Sequence, residues 1–271
     1  MRLHLGIPLF VLVLAAAQAG CGSDAGSTTS GSSDTSAADT SSGSDGTSDT
    51  AKDTASGPQV HLRGVAYRFA PGAQERIADA TISVVELPGV STKTDAQGHY
   101  DLAVPKGATV TPMIAAQGYH SMTLQTFDNV QSDLEHVHFQ TPDDGIFAVL
   151  SGVVGVTPDE QHCIIASTTS TKAIQGLTYE QFRAFGAHGV ADATASGTPD
   201  LPPTMYFDAN TVPDKSLKAT TADGGVLWTN VPPGVYTISA SHPTKKFATF
   251  IATCKGGGLV NANPPWGLKE L

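Results

Sequence analysis

His136-Val137-His138 is the spacing in this 271-residue chain that reads as half of a metal site. On a strand, residues two apart face the same way, so the two imidazoles would stand side by side. Neutral imidazole is a good ligand for zinc, copper or iron. No neighbouring motif supplies the remaining ligands. Two solvent-facing strand histidines are the plainer expectation, and no metal or cofactor is assigned. Cys163 and Cys254 carry a second chemistry. The chain has no Cys-x-x-Cys, so neither a redox dithiol nor a zinc knuckle is indicated. In an oxidising compartment these two can pair with each other, which would close a long loop. Asp95-Ala96-Gln97-Gly98 and Asp143-Asp144 do not follow the twelve-residue calcium loop and read as turns. There is no Gly-x-Ser-x-Gly nucleophile turn, and Lys255-Gly256-Gly257-Gly258 lacks the phosphate-loop spacing. Among the aromatics, Trp228 is expected in a core. Trp266, between Pro265 and Gly267, is the candidate for contact with a ligand such as a glycan.

The elements that would position these groups are short strands. Residues 60–67, 81–87, 91–94, 99–104, 109–115, 120–126 and 137–139 are rich in β-branched and aromatic residues. Turn signals separate them: Pro71-Gly72, Pro88-Gly89, Asp95-Ala96-Gln97-Gly98 and Pro105-Lys106-Gly107. Seven short strands with regular turns describe a sandwich of about 85 residues, here 58–142. A second sandwich is expected over 143–271, starting with a strand at 147–156 and carrying an insertion at 157–189. Within that insertion Tyr179–Phe185 is expected to be a helix. Thr178 and Gln181 form a capping box at its start, Leu177 and Phe182 a hydrophobic staple, and Gly186 ends it.

The first 57 residues have a different texture. Arg2, the apolar run Leu9 to Ala17, and Ala19-Gly20 follow the grammar of a signal peptide over 1–20. The run is short for a membrane span. Gln18-Ala19-Gly20-Cys21 resembles the lipobox of bacterial lipoproteins, although the usual Leu is replaced by Gln18. That resemblance implies cleavage before Cys21 and its acylation, palmitate included. Two acyl chains are enough for stable anchoring. Gly22 and Ser23 follow, with no Asp directly after the Cys, which in such lipoproteins implies the outer membrane, on its periplasmic or extracellular face. If acylation fails, secretion is expected. Residues 22–57 contain no aliphatic side chain larger than Ala and no aromatic. Such a stretch cannot bury enough apolar surface to offset its entropy, and is expected to be a disordered tether. Its 36 residues would span about 30–36 Å as a coil.

An internal repeat joins the two expected sandwiches. Thr94-Asp95-Ala96-Gln97-Gly98 leads to Val104-Pro105-Lys106-Gly107, and Thr221-Ala222-Asp223-Gly224-Gly225 leads to Val231-Pro232-Pro233-Gly234. Gly98 to Pro105 and Gly225 to Pro232 are each seven apart. Upstream, Ala78-Asp79-Ala80-Thr81 matches Ala191-Asp192-Ala193-Thr194. This pattern resembles the carboxypeptidase regulatory-like domain, also called prealbumin-like or transthyretin-like. It covers residues 60–126 and, less completely, 152–253. The resemblance implies an all-β fold of two tandem prealbumin-like sandwiches, accessory modules of surface proteins that bind or space rather than catalyse. Intradiol dioxygenases use a His-x-His strand with Tyr ligands on a related sandwich. A metal enzyme centred on His136 and His138 is therefore the contrasting reading. Tyr67, Tyr100 and Tyr119 stand in no matching motif. A carbohydrate-binding accessory using Trp266 is the third.

The net charge of −10 with no basic stripe argues against nucleic acid as a partner. The chain is thus read as a non-enzymatic lipoprotein of the outer membrane. Its expected partners are the membrane, through the anchor, and a cell-surface protein or glycan. Oligomeric state is not legible.

Overall fold

The computed structural model describes residues 57–69 and 75–271. The signal peptide, Cys21 and the tether up to residue 56 lie outside the described residues. The fold is all-β. In the first half, β1 (Gln59–Arg68), β2 (Thr81–Val84), β3 (Ser91–Lys93), β4 (His99–Pro105), β5 (Pro112–Ala115), β6 (Met122–Thr123) and β7 (Phe139–Thr141) follow the expected order. One layer is β4-β1-β7, and β6-β5-β2-β3 lies in the other. Between them Val60, Leu62, Ala66, Ile82, Leu102, Val104 and Ile114 form the first core. Alternation explains the sides: Val60, Leu62 and Ala66 point inward, while Val65 and Tyr67, at the odd positions, cover the outer face.

Residues 147–156, expected as a strand, lie in or beside a helix, α1 (Asp144–Val154). An apolar run cannot by itself separate a buried strand from a helix, so the ends decide. The Asp143 carboxylate accepts the Ile146 N–H at 2.7 Å, and Gly155 closes the other end in the left-handed region at φ 65°. Arg68 Nε donates to the same Asp143 carboxylate at 2.6 Å, tying the helix start to β1. These donors, the Ile146 N–H first, hold the Asp143 carboxyl below its usual range.

The second half begins its sheet instead at β8 (Cys163–Thr168), inside the stretch expected to be an insertion. A 3₁₀ turn (Lys172–Ile174) and α2 (Tyr179–Phe185) follow, then β9 (Thr194–Thr198), β10 (Met205–Phe207), β11 (Pro213–Asp214), β12 (Gly225–Val231), β13 (Gly234–Ser241), β14 (Phe250–Cys254) and β15 (Leu259–Ala262). The capping box of α2 forms as the sequence predicts. Its Tyr179 packs on Tyr67, with ring centroids 5.0 Å apart, and Arg76 lies over the same ring. The helix therefore covers β1 of the first half.

Strands β14-β13-β9 form one layer of the second half, packed on β8, β12 and β15. Trp228 is fully buried between them, and its indole N–H donates to Thr204. The Cys163–Cys254 disulfide joins β8 to β14 across this core. A single nine-stranded sheet, β11-β10-β12-β8-β15-β6-β5-β2-β3, runs through both halves. Its junction is the parallel pairing of Val260 in β15 with Thr123 in β6. Around it, Thr126 N–H donates to Ile251 O, Gly267 N–H to Gln125 Oε1, and Asn263 Nδ2 to His138 O. The expected boundary at 142/143 is thus crossed by one sheet.

The two repeated turns make the same bonds. Thr94 Oγ1 donates to Ile77 O and accepts from Ala80 N–H; Thr220 Oγ1 donates to Val190 O and accepts from Ala193 N–H. Asp79 and Asp192 both sit at positive φ, 57° and 62°. Gly98 and Gly224 are equivalent: Ala66 N–H donates to Gly98 O and Thr169 N–H to Gly224 O, each at 2.8 Å. Both have positive φ, and a Cβ would fall 2.5 Å from Ala66 O or 2.7 Å from Thr169 O, so glycine is required. The equivalence is one residue out of the alignment made from Gly225. The extra residue is taken up farther along β12, where the pairing with β8 shifts register between Trp228 and Val231, a β-bulge.

Candidate functional site

The two candidate histidine rings lie near each other, with centroids 5.8 Å apart, but not as neighbours on one strand face. The strand begins only at Phe139, and His136 stands at φ 59°, so the chain turns there and strand alternation does not apply. His138 is buried beneath α2, against Tyr179 and Phe182. Its Nδ1 accepts the Val65 N–H at 3.1 Å, so the neutral ring carries its proton on Nε2. Burial, with the nearby His136 adding to it, pushes its pKa down to about 3. Among the described residues no three His, Cys, Asp or Glu side chains gather as a metal site needs. Tyr100 spends its hydroxyl on Val137 O, and Tyr67 is buried under Tyr179.

Trp266 is half-buried. Its indole N–H donates to Glu135 O at 3.1 Å, its ring meets Phe127 edge-on, and Lys269 Nζ lies 4.2 Å from the ring centre. His138 and Trp266 do line one void with Gln125 and Asn263, but its volume is about 10 Å³. That is room for about one water. The C-terminal Pro-Pro-Trp-Gly-Leu segment therefore clasps the first half.

A larger concavity lies elsewhere. The outer faces of β8, β10, β12 and β15 turn away from the second core and toward α1. Ile164, Ala166, Leu227 and Phe207 there meet Val154 of the helix. Between helix and sheet remains a groove of about 250 Å³, to which Phe147, Leu150, Ser151, Thr229, Asn261 and Asp223 also contribute. Asp223 is half-buried on its wall. One carboxylate oxygen accepts Gly225 N–H and the other the Thr211 hydroxyl, each at 2.9 Å. Desolvation nevertheless raises its pKa. The sequence reading missed this groove. The available signal was the pair of caps on α1, Asp143 and Gly155, together with alternation on 163–168 and 225–231.

No protein-family model matches the chain, and no curated protein does. Solved structures of similar shape include the TIE protein of Bacillus anthracis, at 15% identity and a TM-score of 0.23 over 78% of this chain. The chain spans 34% of that protein. The minor pilin GBS52 of Streptococcus agalactiae has 8% identity and a TM-score of 0.26, with 78% and 96% of the two chains covered. The shaft pilin SpaA of Lactobacillus rhamnosus GG has 10% identity and a TM-score of 0.23, with 79% and 97% covered. Similarity at this level assigns no function.

What the site can do chemically follows from its bonds. His138, Tyr100, Asp95 and Asp223 each hold a backbone amide or carbonyl in place. The groove offers an apolar surface with a few hydrogen-bonding groups, which suits binding.

Proposed function

We propose that this chain is a lipid-anchored, non-enzymatic surface module: two diverged carboxypeptidase regulatory-like sandwiches joined into one body and held off an outer membrane by the 22–57 tether. The observation that carries the non-enzymatic part is the engagement of the titratable groups. His138 Nδ1 takes the Val65 N–H, and the Asp95 and Asp223 carboxylates take the amides of their own turns. Groups committed to folding are poor general acids or bases, because a proton transfer would break the bond that positions them. The matching bonds at Thr94 and Thr220 support descent of the two halves from one domain. The disulfide supports an oxidising compartment.

Anchoring is tested at Cys21. Cys21→Ser should move the protein from the membrane pellet to the soluble fraction, and metabolic labelling with palmitate should be lost. Unchanged partitioning would refute the anchor. The groove's own ligand is a separate question.

A further inference from the structure

The groove beneath α1 carries more than a place in the fold. Its volume of about 250 Å³ exceeds the roughly 150 Å³ of an engineered apolar cavity that admits benzene. A ring with a short chain, about ten heavy atoms, would fit it. Most of its wall is apolar: Phe147, Leu150, Val154, Leu227 and Leu259. Two lining hydroxyls stand out. Ser151 and Thr229 lie on this wall, 5% and 8% exposed, and a hydroxyl can turn to donate to or accept from a ligand. Asp223 adds a negative group to the same wall, and its two present donors leave lone pairs free.

We propose that this groove binds a small, mainly apolar molecule bearing one amine, with the apolar part between α1 and the sheet and the amine directed to Asp223. An acid of the same size is disfavoured, since Asp223 would repel its carboxylate. The inference goes beyond the anchoring reading and does not rest on it.

The test uses the full chain carrying Cys21→Ser, which removes any acyl group. The probe is 3-phenylpropylamine, with 3-phenylpropionate as its acidic counterpart, followed by methyl NMR. The expected result is saturable shifts at Leu150, Val154, Leu227 and Leu259, with the amine binding at least about tenfold more tightly than the acid. Ala166→Phe grows a ring from β8 into the groove and should abolish the shifts while distant methyls stay in place. Thr229→Leu fills the same space from β12 and serves if the first variant does not fold. Absence of saturable shifts at these methyls, equal binding of amine and acid, or full binding by a folded groove-filled variant would each overturn the proposal. Membrane partitioning does not enter these readouts, so failure here leaves the anchor standing.

Discussion

The turn at Thr94–Gly98 and the turn at Thr220–Gly224 share their hydrogen bonds but place their carboxylates in opposite settings. Asp95 is exposed, and it accepts the amides of Gln97 and His99 at 2.8 Å each. Those bonds, the one from His99 first, hold its pKa below the usual value. Asp223 lies in the groove wall, and desolvation holds its pKa above the usual value. One backbone device thus hosts a carboxylate that folding favours as the anion and another that folding disfavours as the anion. Two things differ: the place in the turn, since Asp95 stands three residues before Gly98 and Asp223 one before Gly224, and the cover. In the first half that turn faces solvent; in the second it sits beside the groove.

Covalent reinforcement is also unequal. Among the described residues the disulfide belongs to the second half alone, and it closes 91 residues of chain. Replacing both Cys163 and Cys254 with Ala should cost the most of any change considered, roughly 4–5 kcal/mol on the chain-entropy account. Urea unfolding measures the loss, and amide exchange locates it. Exchange should quicken first in β8, β13 and β14, with β1 and β4 still protected. An equal rise in both halves would show that the shared nine-stranded sheet makes them a single cooperative unit.

The next test asks whether the two turns are energetically equal apart from charge. Thr94 and Thr220 are 5% and 4% exposed. Thr94→Val and Thr220→Val keep the shape but strip an amide of its partner, and Thr94→Val also strips the Ile77 carbonyl, whereas the Val190 carbonyl keeps the Thr169 hydroxyl. Each should lose about 1–3 kcal/mol in denaturant unfolding, Thr94→Val somewhat the more. A gap larger than about 1 kcal/mol would mean that the bulge in β12 has altered the second turn beyond its electrostatics.

How much of this could be read from the chain depends on the kind of signal. The strands of the first half announce themselves by alternation between marked turns, and α2 by the capping box at Thr178 and Gln181. The repeat was visible, but its register was not. An alignment without gaps from Gly225 to Pro232 hides the extra residue between Trp228 and Val231, because a bulge adds one residue without a distinctive composition. Helix α1 was misread because Ile, Val and Phe dominate it; its evidence lay in Asp143 and Gly155, outside the apolar run. The groove was out of reach for a further reason. Its walls are the minor faces of β8, β10, β12 and β15, far apart in sequence, and α1 is its roof. Trp266 drew attention as an aromatic near the C-terminus, yet its partners Phe127, Glu135 and Lys269 come from pairings that no local pattern encodes.

The smallest expected effect separates the turns most cleanly, because its sign reverses between them. Asp95 has a lowered folded pKa, so its contribution to stability is present above the unfolded value near 3.8 and is lost as pH falls through the folded value. Asp223 has a raised folded pKa, so the folded state binds its proton more tightly. Stability from this group therefore declines as pH rises from about 3.8 through the raised value. Asp95→Asn should then lower the melting temperature at pH 7 and matter little at pH 2.5. Asp223→Asn removes the buried charge, its amide oxygen can still accept the Gly225 N–H, and the Thr211 hydroxyl can turn to accept from its amide nitrogen. It should raise the melting temperature at pH 7, with the gain fading toward pH 3. Thermal melts of the two variants across that range give the slopes. A loss at pH 7 in both would mean that Asp223 is compensated as an anion by something in the groove, and the amine probe would then stabilise the parent chain but not Asp223→Asn.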